Sequence, residues 1–244
     1  MADSHAPITL KVGPTNAYLL KLADGFLLID TSFPGTFGKF LKGIDRLGVS
    51  LPEIHYLLLT HSHDDHAGLA AEIKQKSHCS VIAHERSVEA LGAGRAKDLG
   101  RFVNRRALVL MGLYGLVKRR TFGFPPIHLD DHDLLVAGDD DEVLRSLGLD
   151  GRIIATPGHT DDGLSVILSN GDAFVGDACM SAFGFLHLRP PLIKDWGAVI
   201  GSWDALIGSG ARTIHPGHGR PFPVEELIRS RERYGSPDSR EREP

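Results

Sequence analysis

The stretch Ile54-His-Tyr-Leu-Leu-Leu59-Thr60-His61-Ser62-His63-Asp64-Asp65-His66-Ala67-Gly68 decides how this chain is read. Ile54–Leu59 is a short apolar run of the kind that makes a buried strand. It stops at a loop in which His61, His63, Asp65 and His66 fall within six residues. On a continuing strand, successive side chains alternate between faces; where the strand gives way to a loop, they can converge on one point. Imidazole nitrogens suit zinc and similar metals, and a carboxylate adds a hard anionic ligand. A solvated polar loop could have the same composition, so support has to come from elsewhere in the chain.

Three other strand ends supply it. His159 follows the short run Ile153–Ala155 in Ala155-Thr-Pro-Gly-His159-Thr160. Asp177 follows Ala173–Val175 in Phe174-Val-Gly-Asp177. His218 follows Thr213–Ile214 in Ile214-His-Pro-Gly-His218-Gly219. Each loop contains a glycine, which permits close backbone approach and unusual φ values. One such histidine would more often be structural; three loops of the same build, added to the first cluster, point to a single metal site.

The remaining elements frame these loops. Strands are expected at Ile8–Val12, Asn16–Leu22, Phe26–Ile29, Val81–Ala83, Leu134–Val136 and Leu164–Leu168, with turns at Gly13-Pro14 and Asp24-Gly25. Helices are expected at Phe37–Leu47, with Phe37, Phe40, Leu41, Ile44 and Leu47 on one face, and at Gly68–Lys76, Trp196–Ile207 and Val224–Tyr234. A helical insert is expected at about 85–123. Each half of the chain therefore runs from apolar strands into histidine-bearing loops. This suggests an α/β fold of two sheets between helices, with the polar loops meeting at one edge. Residues 1–235 would form a single domain, and 236–244 a polar, disordered tail.

Composition narrows the function classes. The 244 residues carry a net charge of −4, 42% hydrophobic residues and only two cysteines. This speaks against a disulfide scaffold, a disordered chain and a nucleic-acid-binding surface. The longest apolar run, Ala107–Val117, is too short to span a bilayer, so no stable membrane insertion is expected. Its basic flanks, Arg105-Arg106 and Lys118-Arg119-Arg120, leave two readings: a lid over the site, or a membrane-surface or homodimer contact. The lid is preferred, with Tyr114 as a substrate-contacting hydroxyl. The start, Met1-Ala-Asp-Ser-His-Ala-Pro7, lacks a basic-then-apolar order, and Cys79 and Cys179 lie far apart; a cytoplasmic location is expected.

Taken together, Thr60-His61-x-His63-x-Asp65-His66-Ala-Gly68, Thr156-Pro-Gly-His159-Thr160, Gly176-Asp177 and Pro216-Gly-His218-Gly219 resemble the metallo-β-lactamase superfamily over roughly residues 8–222. Asn16-Ala-Tyr-Leu-Leu and Leu28-Ile-Asp30-Thr31 resemble its opening strands. The resemblance implies an αββα sandwich of two mixed β-sheets flanked by helices, with a dinuclear site at one edge. His61, His63 and His159 would hold one divalent ion, and Asp65, His66 and His218 a second, with Asp177 bridging them. Zinc is the first choice of metal; iron and manganese fit the same ligands. Asp177, where the main zinc β-lactamases have cysteine, looks like the branch containing glyoxalase II and lactonases.

The implied chemistry is hydrolysis of an ester, thioester, lactone or related carbonyl bond in a small molecule, by a hydroxide shared between the two ions. Asp65 would orient that nucleophile or take its proton. A β-lactam hydrolase and a mononuclear iron dioxygenase acting on persulfides are the alternatives. Glyoxalase II carries a substantial helical region after its last ligand histidine, whereas here 26 residues follow His218. Asp30, Thr60 and Thr160 are candidates for hydrogen bonds to the ligand histidines. Phe183, Phe185 and His187, shortly after Asp177, are candidates for substrate contact.

Overall fold

In a computed structural model of the protein, residues 7–96, 98–109, 112 and 122–235 are described. The first half begins with β1 (Ile8–Val12), β2 (Thr15–Lys21) and β3 (Phe26–Ile29), an antiparallel meander turned by Gly13 and Gly25 at positive φ. Helix α1 (Phe37–Arg46) carries the chain back to β4 (Ile54–Leu58), parallel to β3, and α2 (Ala70–Ser77) leads to β5 (Ser80–His84), parallel to β4. After α3 (Val88–Ala93) and the two-residue strand β6 (Arg101–Phe102), β7 (Leu134–Val136) completes a six-stranded sheet of order β1-β2-β3-β4-β5-β7.

The second half follows a short helix, α4 (Val143–Ser146). Strands β8 (Gly151–Ala155), β9 (Leu164–Leu168) and β10 (Asp172–Gly176) form an antiparallel meander. Next come β11 (Leu192–Ile193), which pairs with β6, and helix α5 (Trp196–Gly208). Strand β12 (Thr213–Pro216) lies parallel to β10, and β13 (Phe222–Pro223) precedes the last helix, α6 (Val224–Tyr234). This sheet has the order β13-β12-β10-β9-β8.

Three apolar clusters separate the layers. Between the sheets lie Leu20, Ile29, Leu58, Ile82, Val166 and Phe174. Outside the first sheet, Leu28, Leu57 and Val81 pack on Phe40, Ile44 and Ile73 of α1 and α2. Outside the second, Val175 and Ile214 pack on Val199, Trp203 and Leu227 of α5 and α6. Central strands covered on both faces are apolar on both faces; hence β2, β3 and β9 are buried almost throughout. The result is the expected αββα sandwich.

One region departs from expectation. The segment read as helical at 85–123 is helical at Val88–Ala93 and at 105–109, with Arg101–Phe102 as a strand between them. Its pairing with Leu192–Ile193 registers two segments ninety residues apart, which local periodicity cannot report. Tyr114, the apolar run beyond 109, the basic residues 118–120 and the expected tail at 236–244 lie outside the described residues. Among the described residues, no helix is long and apolar enough to cross a membrane.

Candidate metal centre

All of the strand ends singled out in the sequence meet at one edge of the sandwich. Thr60 and the His61–His66 loop follow β4, Thr156–Thr160 follows β8, Asp177 follows β10, and Gly217-His218 follows β12. The side chains form three overlapping groups whose ligand atoms lie within 4.8 Å of one another: His61, His63 and His159; His61, His66 and Asp177; and Asp65, His66 and His218. The middle group shares a member with each of the others.

Close approach is built into the backbone. A Cβ on Gly217 would sit 2.5 Å from His66 Cε1 and 2.6 Å from Asp177 Oδ1, so only glycine leaves room for the centre there. Gly158, at φ 128°, lets the His159 loop lie against Val199 of α5. Helix α5 also fastens two of the loops. Ser202 donates to Pro157 O at 2.7 Å, and the Trp203 indole donates to Ala178 O at 2.8 Å.

The hydrogen bonds fix which ring nitrogens face inward. Asp30, at φ 59°, accepts from Thr60 N (2.8 Å), Thr60 Oγ1 (2.7 Å) and His66 Nδ1 (2.8 Å). The Thr60 hydroxyl spends its proton on Asp30, so it accepts from His61 Nδ1 at 3.1 Å. His159 Nδ1 donates to Leu192 O (2.7 Å) and His218 Nδ1 to Pro14 O (3.0 Å). The Nε2 atoms of His61, His66, His159 and His218 are thereby left as lone-pair donors. His63 differs: its Nδ1 is the atom 3.0 Å from His159 Nε2. Ring partners that set a tautomer and orientation are what metal-ligating histidines have.

The expectations for Asp30 and Thr60 are therefore met by direct contacts to His66 and His61. Thr160 departs from expectation. Its hydroxyl is buried without a hydrogen-bond partner, so it makes no hydrogen bond to a ligand ring, while its carbonyl accepts from Gly158 N at 2.8 Å and so closes the His159 turn. Asp162, buried and not singled out in the sequence, accepts from Ser62 N at 3.0 Å and joins the first loop to the third.

Electrostatics match a cation. Burial disfavours charge on His63 and, with the nearby His159, holds its pKa down at about 4; His61 is driven well below the usual histidine range by burial and by His66. Burial opposes charge on His66 too, but Asp30, Asp177 and Asp65 outweigh it and raise its pKa. Asp65 and Asp177 are held far below the carboxylate range, because the surrounding histidines overcome the effect of burial. Buried His61 Nε2, His66 Nε2 and Asp177 Oδ1 have no hydrogen-bond partner. Polar atoms buried in this way call for an occupant, and their chemistry, three nitrogens or oxygens from one shared group, fits a divalent ion.

Beside the centre opens a cleft of about 290 Å³. His63, Asp65, His159, Asp177 and His218 form its floor, and the rest of its lining is almost wholly apolar: Phe33, Leu99, Phe122, Met180, Phe183 and Leu192 among others. Of the residues expected to touch substrate, Phe183 lines this cleft. Phe185 does not; it stands 40% exposed beside Phe183, their ring centroids 6.3 Å apart. His187 does not either. Consecutive left-handed residues, His187 (φ 49°) and Leu188 (φ 69°), turn its side chain into a second cavity.

Such a sandwich, with histidines and aspartates from four strand ends around one edge, is the architecture of a protein built around a metal centre. The chain belongs to the metallo-beta-lactamase superfamily, whose sequence pattern matches residues 10–218, and it is an enzyme of that superfamily. It is 27% identical over 156 residues to a probable metallo-hydrolase of Methanocaldococcus jannaschii, covering 64% of this chain and 63% of that one. It is 31% identical over 143 residues to a hydroxyacylglutathione hydrolase of Rhodopseudomonas palustris, covering 58% of this chain and 39% of that one. The chain thus spans less than two thirds of the length of either relative. Its fold is shared with a metallo-beta-lactamase superfamily protein of Sulfolobus tokodaii, at a TM-score of 0.67 and 20% identity, covering 96% of this chain and 88% of that one.

Proposed function

We propose that the centre holds two divalent ions, one on His61, His63 and His159 and one on Asp65, His66 and His218, with Asp177 between them, and that the protein hydrolyses a small ester, thioester or lactone with an apolar acyl group. The observation that carries this is the overlap of the three ligand groups, in which His61, His66 and Asp177 link the other two. Zinc is preferred, with iron and manganese compatible with the same atoms.

When bound, the ions supply Lewis acidity and bring the pKa of a water towards neutrality. The protein's own residues do the rest. Asp30, Thr60, Leu192 O and Pro14 O aim the ligand rings. Asp65, 3.1 Å from His218 Nε2, would orient a nucleophile by accepting a hydrogen bond from it, or take its proton. Met180, Phe122 and Phe183 take the acyl group and exclude water from the reacting carbonyl. The similarity to a hydroxyacylglutathione hydrolase supports a thioester among the bonds cleaved.

The test is elemental analysis followed by a panel of thioester, ester, lactone and β-lactam substrates of matched acyl size. Two metals per chain and turnover of the apolar thioester or ester are expected. A single iron with oxygen uptake would move the assignment to a dioxygenase, and turnover of the β-lactam alone would move it to that class.

A further inference from the structure

On the other side of Phe183 from the metal centre lies a second cavity, of about 490 Å³. Its charged wall consists of Arg220, Arg229 and Arg233 against one acid, Glu226, which lies 3.7 Å from Arg220. Three arginines around one concavity are conspicuous in a chain whose net charge is −4. Arg229 and Arg233 stand one turn apart on α6, so their side chains lie on one face of the helix, and both line this cavity.

The cavity is attached to the reaction site by the backbone. Arg220 lies two residues beyond His218. Ser181 N donates to His218 O at 3.1 Å, and Arg220 N donates to Ser181 Oγ at 2.7 Å, so the loops after Asp177 and after His218 form one ridge. Phe183 on that ridge lines both cavities. On the far wall, His187 and Leu188 are held in left-handed conformations by Ser230, which donates to His187 O at 2.7 Å, and by Met180 N, which donates to Leu188 O at 3.0 Å. Two adjacent non-glycine residues in that region form a strained turn that persists only where its surroundings over-determine it. Here it shapes a wall of the cavity.

We propose that this cavity is an anion subsite, and that the substrate is amphipathic: its apolar acyl group lies in the cleft and a phosphate-type anion lies among Arg220, Arg229 and Arg233. Arginine forks suit phosphate and carboxylate oxygens. This inference rests on the proposed hydrolase reading for its catalytic consequence, but binding of the anion can be measured without it.

The experiment therefore has two arms. The metal-loaded protein and its Arg229→Ala/Arg233→Ala variant are titrated with methyl phosphate by calorimetry. Binding at the metals is common to both, so the subsite is the event that the variant lacks. Titrations that superimpose would overturn the proposal. Arg229→Lys/Arg233→Lys, which keeps the charge, should retain the event at reduced affinity. In the second arm, two thioesters share one apolar acyl group, with a neutral thiol on one and a phosphate-bearing thiol on the other. The ratio of their kcat/KM values should favour the phosphate by about 10–100-fold in the native protein and fall towards one in the alanine variant, through KM. An unchanged ratio would also overturn the proposal. Failure to turn over either thioester, with the phosphate event intact, would remove the thioester reading and leave the subsite standing.

Discussion

The first sheet delivers its share of the centre in one loop, His61 to His66 at the end of β4; the second delivers single residues, His159, Asp177 and His218, from the ends of three strands. The first set is held chiefly from its own sheet, by Asp30 and Thr60 just beyond the ends of β3 and β4, with one tie across to Asp162. The second is held by α5 behind it, through Ser202 and Trp203, and by the first hairpin across the sandwich, through Asn16, Tyr18 and Pro14. A cluster on one loop can lose a member and keep its neighbours in place. A set of single residues has no such reserve: His159, Asp177 and His218 each complete a different one of the three ligand groups.

The sharpest way to break this comparison is Asp177→Ala. Asp177 Oδ1 lies 3.4 Å from His66 Nε2, and its Oδ2 lies 3.6 Å from both His159 Nε2 and His218 Nε2. On the two-ion proposal, metal content should fall from two to about one per chain, and kcat/KM should fall by more than the ~10–100-fold that loss of an outer partner costs. Two metals and undiminished activity would show that the second sheet contributes no shared residue.

Asp30→Ala comes next and tests the local support of the first loop. It strips the acceptor from Thr60 N, Thr60 Oγ1 and His66 Nδ1. Affinity for the ion on His66 should drop about 10–100-fold in competition with a chelator, with less change for the ion on His63 and His159. Equal loss of both ions would contradict the division into two supports. Stability should also fall, by about 1–3 kcal/mol for a buried group left unpaired.

The smallest effect should come from Tyr18→Phe. The Tyr18 hydroxyl donates to Pro216 O at 2.7 Å, but Asn16 Nδ2 donates to the same oxygen at 2.9 Å. A loss of about 1 kcal/mol, read as a melting shift of about 2–4 °C, is expected with metal content unchanged. Lost metal would mean that the hairpin positions His218 through this one hydroxyl.

The contrast also explains what was legible in the sequence. His61–His66 could be read because its residues are adjacent. His159, Asp177 and His218 could be read because each follows a short apolar run and has a glycine beside it. Asp30 announced itself as a polar residue closing the run Phe26–Ile29, although its positive φ did not. The other acceptors, Leu192 O and Pro14 O, belong to the backbone and carry no residue signal. The apolar cleft is assembled from segments as distant as Phe33, Leu99, Phe122 and Met180, and no pattern of spacing links them. His187 lines the second cavity and not the cleft because its direction depends on two left-handed residues, and the Thr160 hydroxyl makes no bond to a ligand ring because a hydroxyl next to a ligand need not point at it. Strands of two residues, such as Arg101–Phe102, are too short for alternation to mark them.

The tie between the first hairpin and the last ligand loop joins residues 200 positions apart in the chain, Asn16 and Pro216. On a ribosome working at about 5–20 residues per second, the hairpin waits roughly 10–40 s for its partner. Until β8, β9 and β10 (residues 151–176) have been made, the inner faces of β2 and β3, with Leu20 and Ile29, have no second sheet to cover them. Both burial of the inter-sheet core, which needs residues 153–174, and completion of the metal-binding edge, which needs His218, are therefore late events in the protein's birth. That interval is when a nascent chain of this design most needs a chaperone.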